Sequence, residues 1–159
     1  DRGEGLVARG MPVITPDGVV GRINRSTGDT SDILLSVDPR SAIDVVLPRT
    51  GGRGILRGKP GENGYRCAIE YLMQGEQAKE GDLVVTSGLG GFPRDLPVGK
   101  VSRVPRNAAG LSQELEVVPD VDFARLSEVL VVVAPAPPPD PEAGSHKAAA
   151  PSRGLGVYR

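Results

Sequence analysis

Residues 81–101 read "GDLVVTSGLGGFPRDLPVGKV", and two very different proteins can be built around them. Ser87 stands among glycines, as a nucleophile stands beside an oxyanion loop. "GLGGFP" is glycine-rich, as a phosphate cradle is. A third reading is a β chain that turns. A nucleophile elbow, G-x-S-x-G, needs a glycine two residues before the serine, and Val85 is there. A phosphate loop needs a helix behind it to aim backbone N–H groups at the anion. Here Pro93 stands where the third glycine of the fingerprint belongs, and no helical pattern follows. The turn reading meets no such conflict. "LVVTS" is a short strand, "GLGGFPRDLP" turns through residues that adopt positive φ at little cost, and "VGKV" starts the next strand. Phe92, a large apolar residue in a Gly/Pro loop, is expected either to close a barrel end or to meet a partner.

The neighbouring stretches support β structure. "YRCAIEY" alternates, with Tyr65, Cys67, Ile69 and Tyr71 on one face and Arg66, Ala68 and Glu70 on the other. "LSQELEV" sets Leu111, Leu115 and Val117 against Ser112, Glu114 and Glu116, and "AIDVVL" groups Ile43, Val45 and Leu47. Period-2 alternation marks half-buried antiparallel strands. Rougher strands read at "MPVIT", "VVGRINR", "DILLSVD", "RGILRG" and "EVLVVVA", giving roughly ten at spacings of about 8–12 residues. "TPDGVV" is the sharpest turn. "PDVDFARLSEV" offers the one helical turn, N-capped by Asp120 or Asp122, with Phe123 and Leu126 on one side to plug a barrel end. The chain has three Tyr, two Phe and no Trp, too few large side chains to fill one wide barrel. The expected fold is therefore all-β, as two small antiparallel barrels filled by Val, Ile and Leu. The first is expected at 1–58, completed by a strand at 128–134, and the second at 59–119. A short helical turn and final strand are expected at 120–134, and a disordered Pro/Ala-rich tail at 135–159.

Composition narrows the function. The net charge is −1 with both signs interspersed, so no basic field marks a nucleic-acid or anionic membrane surface. Arg22, Arg25, Arg53 and Arg57 are expected on solvated strand or loop faces rather than in a nucleic-acid patch. A single Cys, Cys67, cannot form an internal disulfide. One His and one Cys have no ligand spacing, and Asp29/Asp32 and Asp120/Asp122 lack the frame of a calcium loop. No metal or cofactor is expected. The apolar run at 129–134 is far shorter than the roughly 20 residues of a membrane span. Catalysis at Ser87 requires a base. The only His is His146, in the tail, and nothing in the sequence marks Lys79 or Lys100 as desolvated. A serine hydrolase and an oligonucleotide-binding barrel are the rival readings.

Four stretches, "GMPVITPDGVVGRI" at 10–23, "DPRSAIDVVLPRTGGRGIL" at 38–56, residues 81–101, and "PDVDFARLSEVLVV" at 119–132, together resemble the rod shape-determining MreC family, in its order, across roughly residues 3–133. The resemblance implies two small periplasmic β-barrels, arranged as in chymotrypsin-like proteases but without catalytic residues. It implies a membrane helix and coiled coil N-terminal to a region like this one, which starts at Asp1 and reads as excised. It implies a scaffold of lateral-wall peptidoglycan synthesis, non-enzymatic and self-associating as dimers or filaments. The implied partners are a class B penicillin-binding transpeptidase, MreD, RodZ and, indirectly, MreB. For contacts, Tyr71, Leu72 and Met73 after the "YRCAIEY" strand, with Phe92 and Leu96, are expected to form an exposed apolar patch.

Overall fold

The computed structural model describes residues 7–61, 64–73, 77–105 and 114–133, and the tail at 135–159 lies outside them. Ten strands follow one another: β1 Pro12–Thr15, β2 Gly18–Thr27, β3 Thr30–Leu35, β4 Ala42–Leu47, β5 Gly52–Lys59, β6 Arg66–Met73, β7 Leu83–Thr86, β8 Pro97–Arg103, β9 Glu114–Pro119 and β10 Leu130–Val131. Among the described residues a single 3₁₀ turn, Phe123–Arg125, precedes β10. Among the described residues no helix is long and apolar enough to cross a membrane.

Six strands close a barrel in the order β4-β5-β6-β9-β8-β7, and β10-β1-β2-β3 form a four-stranded sheet. All pairs are antiparallel. The all-β expectation holds. One barrel closes, and the second body is a sheet whose inner face is covered by the 3₁₀ segment. The strand pairing divides the chain earlier than residue 58: β4 and β5 belong to the closed barrel, so its first strand begins at Ala42. The sequence gives no warning of this, because the 3–4 connection at Ser36–Ser41 looks like any other turn. β10 pairs with β1, Val13 opposite Val131.

The alternation read from the sequence sets the barrel interior. Ile43, Val45 and Leu47 of β4, Leu56 of β5, Cys67 and Ile69 of β6, and Leu115 and Val117 of β9 are all buried in one cluster. Leu111 and Ser112 lie outside the described residues. Burial pushes the Cys67 thiol up to about 12, which leaves it protonated and unreactive at neutral pH. A barrel this narrow needs strands to approach closely, and β5 supplies room with glycine. A Cβ on Gly58 would overlap the Val37 carbonyl, and one on Gly54 would overlap the Glu70 carbonyl.

The sheet has its own core of Val13, Val20, Ile23, Val121 and Phe123. Asp122 caps the 3₁₀ turn, its carboxylate accepting from Ala124 N at 3.1 Å, and Phe123 and Leu126 pack on the sheet. β2 serves both bodies. Val20 points into the sheet core while Val19 joins the barrel core, and Gly18 lies so close to Pro97 that a Cβ would stand 2.5 Å from its carbonyl oxygen. This double burial explains why "VVGRI" shows no clean alternation. Tyr65, just before β6, tilts against Phe123 with ring centroids 5.3 Å apart, a further tie between barrel and sheet.

Candidate functional site

The loop between β7 and β8 is knitted to its surroundings at every turn. Buried Thr86 holds its inner side: Leu96 N donates to Thr86 Oγ1 at 2.9 Å, and Asp95 N to Thr86 O at 2.9 Å. The positive φ values fall at Gly88, Gly90 and Gly91, and at one non-glycine, Asp95 at 65°. Aspartate tolerates that left-handed conformation better than most residues.

Ser87 sits at the mouth of this loop. Its hydroxyl donates to Asp44 Oδ1 at 2.6 Å, and its N–H donates to Asp44 O at 3.1 Å. Arg53 grips the same carboxylate bidentately, Nε to Oδ1 at 3.0 Å and Nη2 to Oδ2 at 2.8 Å. The Arg53 bonds, then the Ser87 bond, hold Asp44 below the usual carboxylate range despite partial burial. A carboxylate so stabilised as an anion is a poor proton acceptor. Among the described residues, Ser87 is thus tied to an orienting group and no base stands beside it. Lys79 engages through its backbone N–H with Asp82 at 2.8 Å, Lys100 stands on the outer face of β8, and His146 is outside the described residues. Among the described residues no group of three or more His, Cys, Asp or Glu is placed to hold a metal ion. Asp32 pairs with Arg25 at 3.4 Å, and Asp122 is the cap already described.

Arg22, Arg49 and Arg53 are engaged with the barrel, whereas Arg25 is 73% exposed. Arg22 reaches from β2 across to the barrel, donating to Gly90 O at 3.3 Å and Ala42 O at 3.1 Å, and its guanidinium lies 4.7 Å from the centre of the Phe92 ring. Burial lowers its pKa from the ordinary value, and the two carbonyls and the ring face take the place of water. Arg57 pairs with Glu70 at 3.5 Å. On the far side Asp82 is clamped by Arg49, at 2.6 and 2.8 Å, and also accepts from Lys79 N.

Of the expected patch, Phe92 and Leu96 turn inward rather than out. Phe92 is 2% exposed and lies in the barrel core, with Leu96 half-buried against the same cluster. The physical reason is the turn itself: three glycines bend the loop back so that its aromatic side chain closes the barrel end under Arg22, while Leu89 stays 49% exposed. Tyr71, Leu72 and Met73 end β6, and their side chains lie outside what the structure describes. A different apolar surface is present. In the register, Leu83 of β7 stands opposite Lys100 of β8, which stands opposite Val118 of β9. All three face outward, Leu83 53% and Val118 43% exposed. Val46 and Val85, paired and half-buried, extend this face onto β4. Alternation alone puts Leu83 and Val118 outside. Their adjacency depends on β7, β8 and β9 being neighbours, which no local pattern reveals.

Residues 2–133 match the family model described as rod shape-determining protein MreC, barrel core. The chain belongs to the MreC family. The cell shape-determining protein MreC of Caulobacter vibrioides is 36% identical over 125 residues, covering 78% of this chain and 34% of that protein. The crystal structure of MreC from Pseudomonas aeruginosa superposes with a TM-score of 0.73 at 32% identity, covering 82% of this chain and 83% of that one. A more distant MreC, from Helicobacter pylori and solved in complex with the penicillin-binding protein PBP2, has a TM-score of 0.56 at 19% identity over 71% of this chain and 68% of that one, a likeness of fold. The chain spans about a third to a half of the length of the curated relatives it matches.

The two clamped aspartates make a pH prediction. Asp44 and Asp82 are both held below the ordinary carboxylate pKa, each chiefly by its arginine. An unfolded Asp titrates near 3.9, so their stabilisation is complete above about pH 4 and is lost as pH falls through the lower folded values. Urea midpoints are expected to be level near neutrality and to fall below about pH 4. In Asp44→Asn the fall is shallower. A midpoint that rises on acidification would contradict the clamp.

Proposed function

We propose that this chain is a non-enzymatic scaffold region of the bacterial cell-elongation machinery. On this reading it stands on the periplasmic face of the inner membrane, below a single-pass anchor in the longer protein. It organises peptidoglycan synthesis and biases a class B penicillin-binding transpeptidase toward an active conformation by binding that state preferentially. MreD and RodZ are further partners, and MreB an indirect one. The carrying observation is the family match over residues 2–133. The H. pylori complex supports a transpeptidase as partner. The serine hydrolase reading is disfavoured by the Ser87–Asp44–Arg53 arrangement, which orients the hydroxyl without activating it. Self-association has a route in β3, which ends the sheet order and leaves one backbone edge for a second copy.

The partner face in this proposal is Leu83, Val118 and the Lys100 stem between them. Burying two such side chains at an interface contributes about 1.5–3 kcal/mol each at most. In Leu83→Glu/Val118→Glu each new carboxylate flanks Lys100, a favourable cross-strand arrangement that spares the fold. This variant is expected to bind the transpeptidase's periplasmic region at least tenfold more weakly, with an unchanged melting temperature, by biolayer interferometry. Undiminished binding would place the contact elsewhere.

A further inference from the structure

β2 is irregular near its middle, and the irregularity borders a cleft. Its register with β3 shifts between Ile23, opposite Ile33, and Arg25, opposite Asp32, so Asn24 is the extra residue of a β-bulge. A regular strand sends successive side chains to opposite faces, yet Asn24, Arg25 and Ser26, three in a row, border the same cleft. Bulges re-aim side chains in this way and recur beside functional sites. The other wall is the segment before β1. Gly10 N donates to Ile23 O at 2.8 Å and Ile23 N to Met11 O at 2.9 Å, which fastens that segment beside the bulge. Met11 N closes its turn on Ala8 O at 3.2 Å. Val7, Ala8 and Arg9 complete a cleft of about 480 Å³.

The lining holds two guanidiniums, a carboxamide and a hydroxyl, and among the described residues no carboxylate. Arg9 makes no ion pair with any described residue. Arg25 reaches Asp32 through one nitrogen, at 3.4 Å, with both side chains mostly exposed. The net charge of −1 conceals this local excess of positive charge. We infer that the cleft is a binding site for a phosphate group. Arginine forks match oxyanions, and here the donors stand on two walls. A carboxylate offers two oxygens in one plane, whereas a tetrahedral phosphate presents oxygens to both walls. Ser26 Oγ, 2.9 Å from Ser31 Oγ, keeps its own proton for the ligand when Ser31 is the donor. The contact is exposed, so binding is weak and salt-sensitive. Two sources carry this chemistry, a soluble phosphate ester and the headgroup of an anionic phospholipid. The cleft belongs to the four-stranded sheet and the Leu83–Lys100–Val118 row to the barrel, so neither proposal rests on the other.

The test is a titration of the 159-residue chain with glycerol phosphate at low salt, followed by amide chemical shifts, with acetate at matched ionic strength as the control. Saturable shifts are expected at Ala8, Arg9, Asn24, Arg25 and Ser26 with the phosphate and not with acetate. Arg9→Gln/Arg25→Gln, at two exposed positions where the fold is spared, is expected to weaken binding about tenfold or more. Asp32→Asn, which releases Arg25, is expected to tighten it about twofold. Vesicles of phosphatidylcholine with one-third phosphatidylglycerol then separate the sources. Sedimentation of the wild-type chain but not of the double variant assigns the lipid headgroup; sedimentation that is absent, or retained by the double variant, assigns the soluble ester. No saturable shift with glycerol phosphate, equal shifts with acetate, shifts centred elsewhere, or undiminished binding by the double variant overturns the proposal.

Discussion

Phe92→Ala is expected to destabilise the protein by about 3–5 kcal/mol, the range for emptying a well-packed aromatic site. The side chain is 2% exposed and fills the end of a six-stranded barrel, with no second aromatic in its cluster among the described residues. Neighbouring strands are pinned by backbone pairs and relax little, so the cavity persists. The substitution also removes the ring under Arg22, which keeps its bonds to Gly90 O and Ala42 O but loses the surface that excludes water from them. Leu96→Ala, at a half-buried site on the same cluster, is expected to cost less. Urea denaturation of the three proteins checks this. A loss below about 1 kcal/mol for Phe92→Ala would mean that the loop does not seal the barrel.

Gly58→Ala is the second large effect, and it adds one methyl group. Overpacking a side-chain core costs about 1–3 kcal/mol because neighbours rotate away. At Gly58 the obstacle is the Val37 backbone, with Asp38 beside it, and backbone moves only if the connection into β4 moves too. The expected loss exceeds that range and takes the β4–β5 pairing with it. Gly61→Ala is the control: its φ is not positive, and the nearest atom a Cβ would meet is Gly64 O at 3.8 Å. Comparable melting temperatures for both variants would contradict the close approach.

These two positions mark what the sequence makes legible. The strict alternation at Cys67/Ile69, Leu115/Val117 and Ile43/Val45/Leu47 shows the barrel interior directly, because each strand is half-buried and period 2 survives. The "GLGGFPRDLP" loop is legible as a turn by chemistry alone. Phe92 is ambiguous locally, since loop aromatics close barrels and bind partners alike. Arg22 decides it from 70 residues away, through a strand the sequence assigns to the other body. β2 defeats pattern reading for the same reason: a strand buried on both faces has no alternation to find. The strand division at Ala42 and the Leu83–Lys100–Val118 row are properties of strand order, set by long-range pairing.

The central claim is that the chain acts through its outer surface and that Ser87 has no chemical task. Cell shape in a strain whose only copy of the full-length protein carries either Ser87→Ala or Leu83→Glu/Val118→Glu tests it most directly. With both variants present at wild-type levels, the account predicts rods for the first and rounded cells for the second. Rounded cells with Ser87→Ala and rods with the surface variant would contradict it.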